Sequence, residues 1–146
     1  MKMRIVVVAS PDYLKKHGEP NHPRELTNHN CLLQKTVVDP DHWRFRMDGK
    51  NTSIRVRGNF QSNSPRAIAT MAAGGLGVGM CPFYVVQSFL AIGALKVLFA
   101  NMEATEFALY AVYPPSHHLS ARIRALIDHL TMSFGELPAA RKADPY

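Results

Sequence analysis

An α/β fold, with a mixed sheet flanked by helices, is predicted for this 146-residue chain by three observations. Short β-branched runs, Ile5–Ala9 first, read as strands covered on both faces. Segments of helical spacing alternate with them and begin with capping residues. The stretch Asn63–Pro82 joins a helix, a glycine-rich turn and a strand in one block.

The elements follow in order. Ile5–Ala9 (IVVVA) is an unbroken apolar strand. Ser10 is placed to cap a helix Pro11–His17, with Pro11 in the first turn, Asp12 at the positive end and Gly18 as the stop. Asn21-His22-Pro23 opens a short helix, Arg24–Thr27, that stops near Asn28. Cys31–Val37 reads as a strand and Asp39-Pro40-Asp41-His42 as a turn. Trp43–Met47 and Ser53–Val56 alternate apolar and polar residues about Asp48-Gly49-Lys50-Asn51, which predicts a hairpin.

The block that follows carries the most information. Ser62, Asn63 and Ser64 are all natural caps, and Pro65 stands where a first helical turn needs no amide donor. Ala67, Ile68, Met71 and Ala72 recur at helical spacing. Gly74, Gly75, Gly77 and Gly79 then break the helix and allow it to lie close on the next strand, which ends in a turn at Pro82. A helix start aimed at a cleft presents free N–H groups to an anion. Pro82–Ala91 reads as a second helix ending near Gly93, and Leu95–Phe99 as a short edge strand. Phe107–Tyr113 reads as a buried strand closed by Pro114-Pro115. Leu119–Phe134 is the best amphipathic helix, capped by Ser120, with Ile123, Leu126, Ile127, Leu130 and Phe134 as its stripe. Residues 136–146 are expected to be a disordered tail.

Composition narrows the function. A hydrophobic fraction of 47% and a charged fraction of 19% are globular values. No apolar run is long enough to span a bilayer, and Ile5–Ala9 is too short for a signal peptide core. Cys31 and Cys81 stand apart among apolar neighbours, as buried reduced thiols of a cytoplasmic protein do. The net charge of +6 is spread along the chain and reads as solvated faces, not as a nucleic-acid footprint. The seven histidines form no ligand-spaced cluster, and neither a nucleophile elbow nor a phosphate loop is present. No catalytic residue, metal site or cofactor is therefore expected, and the chain does not read as an enzyme.

Several pieces in order carry a family resemblance: Val6–Leu14 (VVVASPDYL) with Gly18, Pro20 and Pro23; His29-Asn30-Cys31-Leu32; Trp43-Arg44-Phe45; the helix-and-glycine block; Gly93-Ala94-Leu95 with Val97-Leu98; and Leu109–Pro114 before Leu119-Ser120. Over about residues 5–134 the chain resembles the effector-binding domain of LysR-type transcriptional regulators, whose fold is that of type 2 periplasmic binding proteins. The resemblance implies a partial effector-binding domain over 1–135: about 10–105 as subdomain II, then 106–135 as the strand and helix that return to subdomain I. The family's winged helix-turn-helix, its linker helix and the first half of subdomain I are expected to lie outside this chain, so that DNA would be reached only through that absent domain.

The resemblance also implies a site. The family's effector pocket lies between its subdomains, and its subdomain II positions carry onto Ser10, Asn63, Ser64, Cys81, Pro82 and Phe83. The expected ligand is a small anionic metabolite, sensed by cleft closure, with no membrane partner. Ile5–Ala9 and Phe107–Tyr113 are expected to pair, and the C-terminal helix to dock on a second copy in a homodimer or higher oligomer. The alternatives are a stand-alone solute-binding module and a dimerisation module that modulates full-length regulators.

Overall fold

The computed structural model describes residues 2–104, 107–108 and 120–134. In chain order its strands and helices are β1 (Lys2–Met3), β2 (Ile5–Ala9), α1 (Pro11–His17), a 3-10 turn (Pro23–Asn28), β3 (Cys31–Gln34), β4 (His42–Met47), β5 (Lys50–Arg55), β6 (Gln61–Ser62), α2 (Pro65–Ala73), β7 (Val78–Pro82), α3 (Phe83–Ala91), β8 (Lys96–Leu98), β9 (Glu103–Ala104), β10 (Phe107–Ala108) and α4 (Ala121–Phe134). Two compact units result: Arg4–Glu106, and Met1–Met3 with Phe107–Tyr146.

The larger unit is built on a five-stranded mixed sheet of order β6-β3-β7-β2-β8. β7 runs parallel to β3 and antiparallel to β2, which is in turn antiparallel to β8. Every residue of β2 is buried. Alternation explains this: Val6 and Val8 enter one core with Ile68, Ala72 and Val86 of α2 and α3, while Val7 and Ala9 enter the other with Tyr13, Trp43, Phe45 and Ile54. A strand packed on both faces has no position for a polar residue.

Local signals set α1 as predicted. The Ser10 hydroxyl oxygen accepts the Tyr13 N–H at 3.2 Å, and Gly18, at φ 85°, donates its N–H to the Leu14 carbonyl at 2.8 Å. The next short helix is of the 3-10 type, capped by the His22 ring nitrogen, which accepts the Arg24 N–H at 3.1 Å.

Two strand limits differ from expectation. β3 stops at Gln34, not at Val37, and Val38 is 86% exposed. Its neighbour β6 offers only two residues for pairing, so the ladder runs out before the valines, and their β propensity goes unused. The hairpin β4–β5 turns on Asp48-Gly49 alone, with φ values of 50° and 74°, and Lys50 and Asn51 already belong to the ladder. Positive φ at both central residues is the two-residue turn whose twist matches that of the strands. β9 adds a third strand against β4.

In the helix-and-glycine block, Ser64 is the cap: its hydroxyl oxygen accepts the Ala67 N–H at 3.4 Å. β7 then runs directly into α3, so Pro82 is both the last strand residue and the residue preceding the helix; it does not open a separate turn. β8 is an edge strand, as predicted.

In the smaller unit, β1 pairs antiparallel with β10. The predicted pairing of Ile5–Ala9 with Phe107–Tyr113 is not formed by β2, because β7 and β8 already occupy its two sides; Phe107 and Ala108 pair with Met3 and Lys2 instead. Residues 109–119 and 135–146 lie outside the described residues, and with them the remainder of that predicted strand, its closing prolines and the tail. In α4 the Ser120 hydroxyl oxygen accepts the Ile123 N–H at 3.4 Å, and Ile123 and Leu126 of the predicted stripe are 41% and 57% exposed.

Candidate functional site

Strand direction decides which candidate residues meet. β3 and β7 are parallel and end at the same side of the sheet, and antiparallel β2 begins there, with Ile5 opposite Pro82. This side therefore gathers the start of α2 with Asn63 and Ser64, the end of β7 with Cys81 and Pro82, the start of α3 with Phe83, and Arg4 before β2.

Close contacts tie these residues together. The Cys81 thiol approaches the Pro65 carbonyl at 3.7 Å, joining the end of β7 to the first turn of α2. The Phe83 N–H donates to the Arg4 carbonyl at 2.9 Å, and the Arg4 guanidinium lies 5.6 Å from the centroid of the Phe83 ring. The Ser64 N–H donates to the Ser62 hydroxyl at 3.1 Å. Asn63 is exposed, Ser64 and Phe83 are half-buried, and Cys81 and Pro82 are buried. No side chain caps α3.

Ser10 is at the other side. It follows the C-terminal end of β2, about 17 Å of strand beyond Ile5, and a Cβ on Gly75 would lie 3.6 Å from its hydroxyl. That hydroxyl is buried and caps α1. Asn63, Ser64, Cys81, Pro82 and Phe83 are thus brought together, and Ser10 is not. The residue missed by sequence reasoning is Arg4, an exposed cation immediately ahead of the buried run; its position before Ile5 was the available signal.

The chemistry of the gathered set is that of a binding surface. It offers one guanidinium, hydroxyl and amide groups, two helix starts and an aromatic ring, with no carboxylate among Arg4, Asn63, Ser64, Cys81, Pro82 and Phe83. Burial pushes the Cys81 thiol up to about 12, so it is neutral and a poor nucleophile. Among the described residues no group of three or more His, Cys, Asp or Glu side chains is placed to hold a metal ion, and no helix is long and apolar enough to cross a membrane.

Comparison with known proteins agrees with the fold. Residues 1–135 match the LysR substrate binding domain. The chain is 29% identical over 143 residues to the "Probable HTH-type transcriptional regulator LtrA" of Klebsiella pneumoniae, covering 95% of this chain and 46% of that protein. It is 26% identical over 135 residues to the HTH-type transcriptional activator AaeR of Escherichia coli, covering 92% and 44%. The full-length structure of AphB, a Vibrio cholerae virulence activator, superposes with a TM-score of 0.77 at 25% identity, covering 91% of this chain and 46% of that one. The chain spans less than half the length of these relatives, which are transcriptional regulators rather than enzymes. The α/β mixed sheet and the match over residues 1–135 place the chain in the LysR substrate-binding domain family, the regulatory part of LysR-type transcriptional regulators.

Proposed function

We propose that this chain senses a small anionic metabolite on behalf of a LysR-type regulator, with the DNA contact made by a helix-turn-helix domain outside it, in the cytoplasm. One observation carries the reading: Arg4 and the starts of α2 and α3 share one side of the sheet, with no carboxylate among the residues that join them. A ligand carboxylate would take the Arg4 charge, the Asn63 side-chain amide, the Ser64 hydroxyl proton and the first-turn N–H groups of α3 beyond Phe83, whose own goes to the Arg4 carbonyl. Phe83 would supply the apolar wall, and Cys81 and Pro82 the rigid floor. Sensing requires only that the ligand prefer one of two arrangements of the regulator.

Calorimetry with acetate, succinate, phenylacetate and phthalate, beside their neutral amides, tests this. At least one carboxylate should bind, its amide should not, and Arg4→Gln should weaken binding about tenfold, or about 1.4 kcal/mol. Binding unaffected by Arg4→Gln, or absent throughout the series, would remove the reading.

Exposed Ile123 and Leu126 on α4 favour a second reading, a dimerisation module acting on its own or on full-length regulators. Sedimentation of the chain should then show a dimer that dissociates on dilution and is lost in Leu126→Glu.

A further inference from the structure

Where β2 ends, away from the candidate site, two histidines flank one tyrosine. The Tyr13 ring of α1 stacks on His17 with centroids 4.5 Å apart and planes at 27°. His29, just after the 3-10 turn, lies with its ring 5.8 Å from that of Tyr13 and its Nδ1 3.2 Å from the Tyr13 hydroxyl. The same hydroxyl accepts the Asn30 backbone N–H at 3.1 Å.

Asn30 extends the chain of bonds. Its Nδ2 donates to the Leu76 carbonyl at 2.7 Å and to Asn59 Oδ1 at 2.9 Å, and its Oδ1 accepts the Asn59 N–H at 3.0 Å. A continuous path therefore links His29, through Tyr13 and Asn30, to the segment before β6 and to the turn between α2 and β7.

The proton count makes this path depend on the state of His29. A phenol has one proton and two lone pairs. With Asn30 donating to the oxygen, the Tyr13 proton is satisfied by a neutral Nδ1. An imidazolium donates from both nitrogens, so Nδ1 no longer accepts: the Tyr13 proton loses its acceptor and must swing aside before the hydroxyl oxygen can take a second donor beside the Asn30 N–H.

The charged neighbours are few. From α1, His17 opposes a charge on His29; from the 3-10 turn, Glu25 favours one; burial, the largest influence, opposes it, and the balance lowers the His29 pKa. From β3, Cys31 brings no charge, since burial pushes its thiol up to about 12. Burial also raises the Tyr13 pKa, so its proton stays in place at neutral pH.

We propose that His29 is a proton-operated latch: neutral, it fastens α1 to the α2–β7 turn through Tyr13 and Asn30, and protonated, it releases them. This is independent of the effector reading.

The test uses the whole chain and NMR between about pH 8 and pH 5. His29 is followed by its ring signals and the path by exchange protection factors of the Asn30 and Asn59 amides, with the Ala67 amide as control. Protection of Asn30 and Asn59 should fall about tenfold or more with the His29 midpoint while that of Ala67 holds, a tenfold change being one pKa unit of linkage. His29→Gln should abolish the dependence. His17→Gln, at an exposed site, should raise the His29 midpoint and move the loss of protection with it. Protection that ignores the His29 titration, persists in falling in His29→Gln, or parts from the midpoint in His17→Gln would overturn the proposal.

Discussion

Gly79 and Ile68 fix how closely α2 lies on β7. A Cβ built on Gly79 would come within 2.9 Å of the Ile68 Cγ2 methyl, with the Ala72 methyl 3.6 Å away and the Cys81 sulfur 3.8 Å away. Ile68, Ala72 and Cys81 are all fully buried, so the helix has little room to withdraw. Gly79→Ala should destabilise the chain by about 1–3 kcal/mol in urea melts. Ile68→Ala, which removes that Cγ2 methyl, should alone cost about 2–5 kcal/mol. Combined, the two should cost clearly less than their sum, because each relieves the other; strict additivity would mean that the contact is slack.

Serine caps at the two sides of the sheet separate stability from binding. Ser64→Ala and Ser10→Ala each remove one side-chain cap and should each cost about 1 kcal/mol by thermal or chemical melts. Only Ser64→Ala should also weaken the carboxylate found by calorimetry. Equal weakening by Ser10→Ala would mean that the site is not at the start of α2.

Neither thiol should react in the folded chain. Burial pushes Cys31 and Cys81 alike up to about 12, and both are buried without exposed sulfur. Ellman's reagent at neutral pH should detect both only after denaturant is added. Fast labelling of Cys81 alone would show that the end of β7 opens locally.

Acid should weaken the fold through His29. Its pKa in the folded chain is lowered, chiefly by burial, so the unfolded chain binds more protons and stability falls as pH falls. The contribution is complete above the unfolded value of about 6.5 and is lost as pH drops through the lowered folded value. Urea midpoints measured across this interval should decline, and His29→Gln should flatten the decline.

What could be read in the sequence was what the chain decides locally. The limits of α1 follow from Ser10, Pro11 and Gly18, which act within one turn of where they stand. The end of β3 depends on β6, twenty-seven positions on from Gln34 at Gln61, and no feature of Val37-Val38 announces that the partner is short (61 − 34 = 27). The hairpin was legible, but Asp48 at positive φ shortens its turn by two residues. At the candidate site, helix caps marked Asn63 and Ser64, while Cys81, Pro82 and Phe83 came only with the family resemblance. The direction of β2 relative to β7 was invisible, and it is this that separates Ser10 from the rest and brings in Arg4.

The pairing of β2 with β7 also has a consequence during synthesis. Ile5 meets Pro82, a separation of 77 residues (82 − 5 = 77), and the other side of β2 waits for β8. At about 5–20 residues per second, the Ile5–Ala9 segment stays without its partners for about 4–15 s after it is made. Throughout that interval an apolar, β-prone stretch is available to other nascent chains and to chaperones. A ribosome that stalls before Val78 would leave that stretch with no sheet to enter, and such products should partition into aggregates while full-length chains do not.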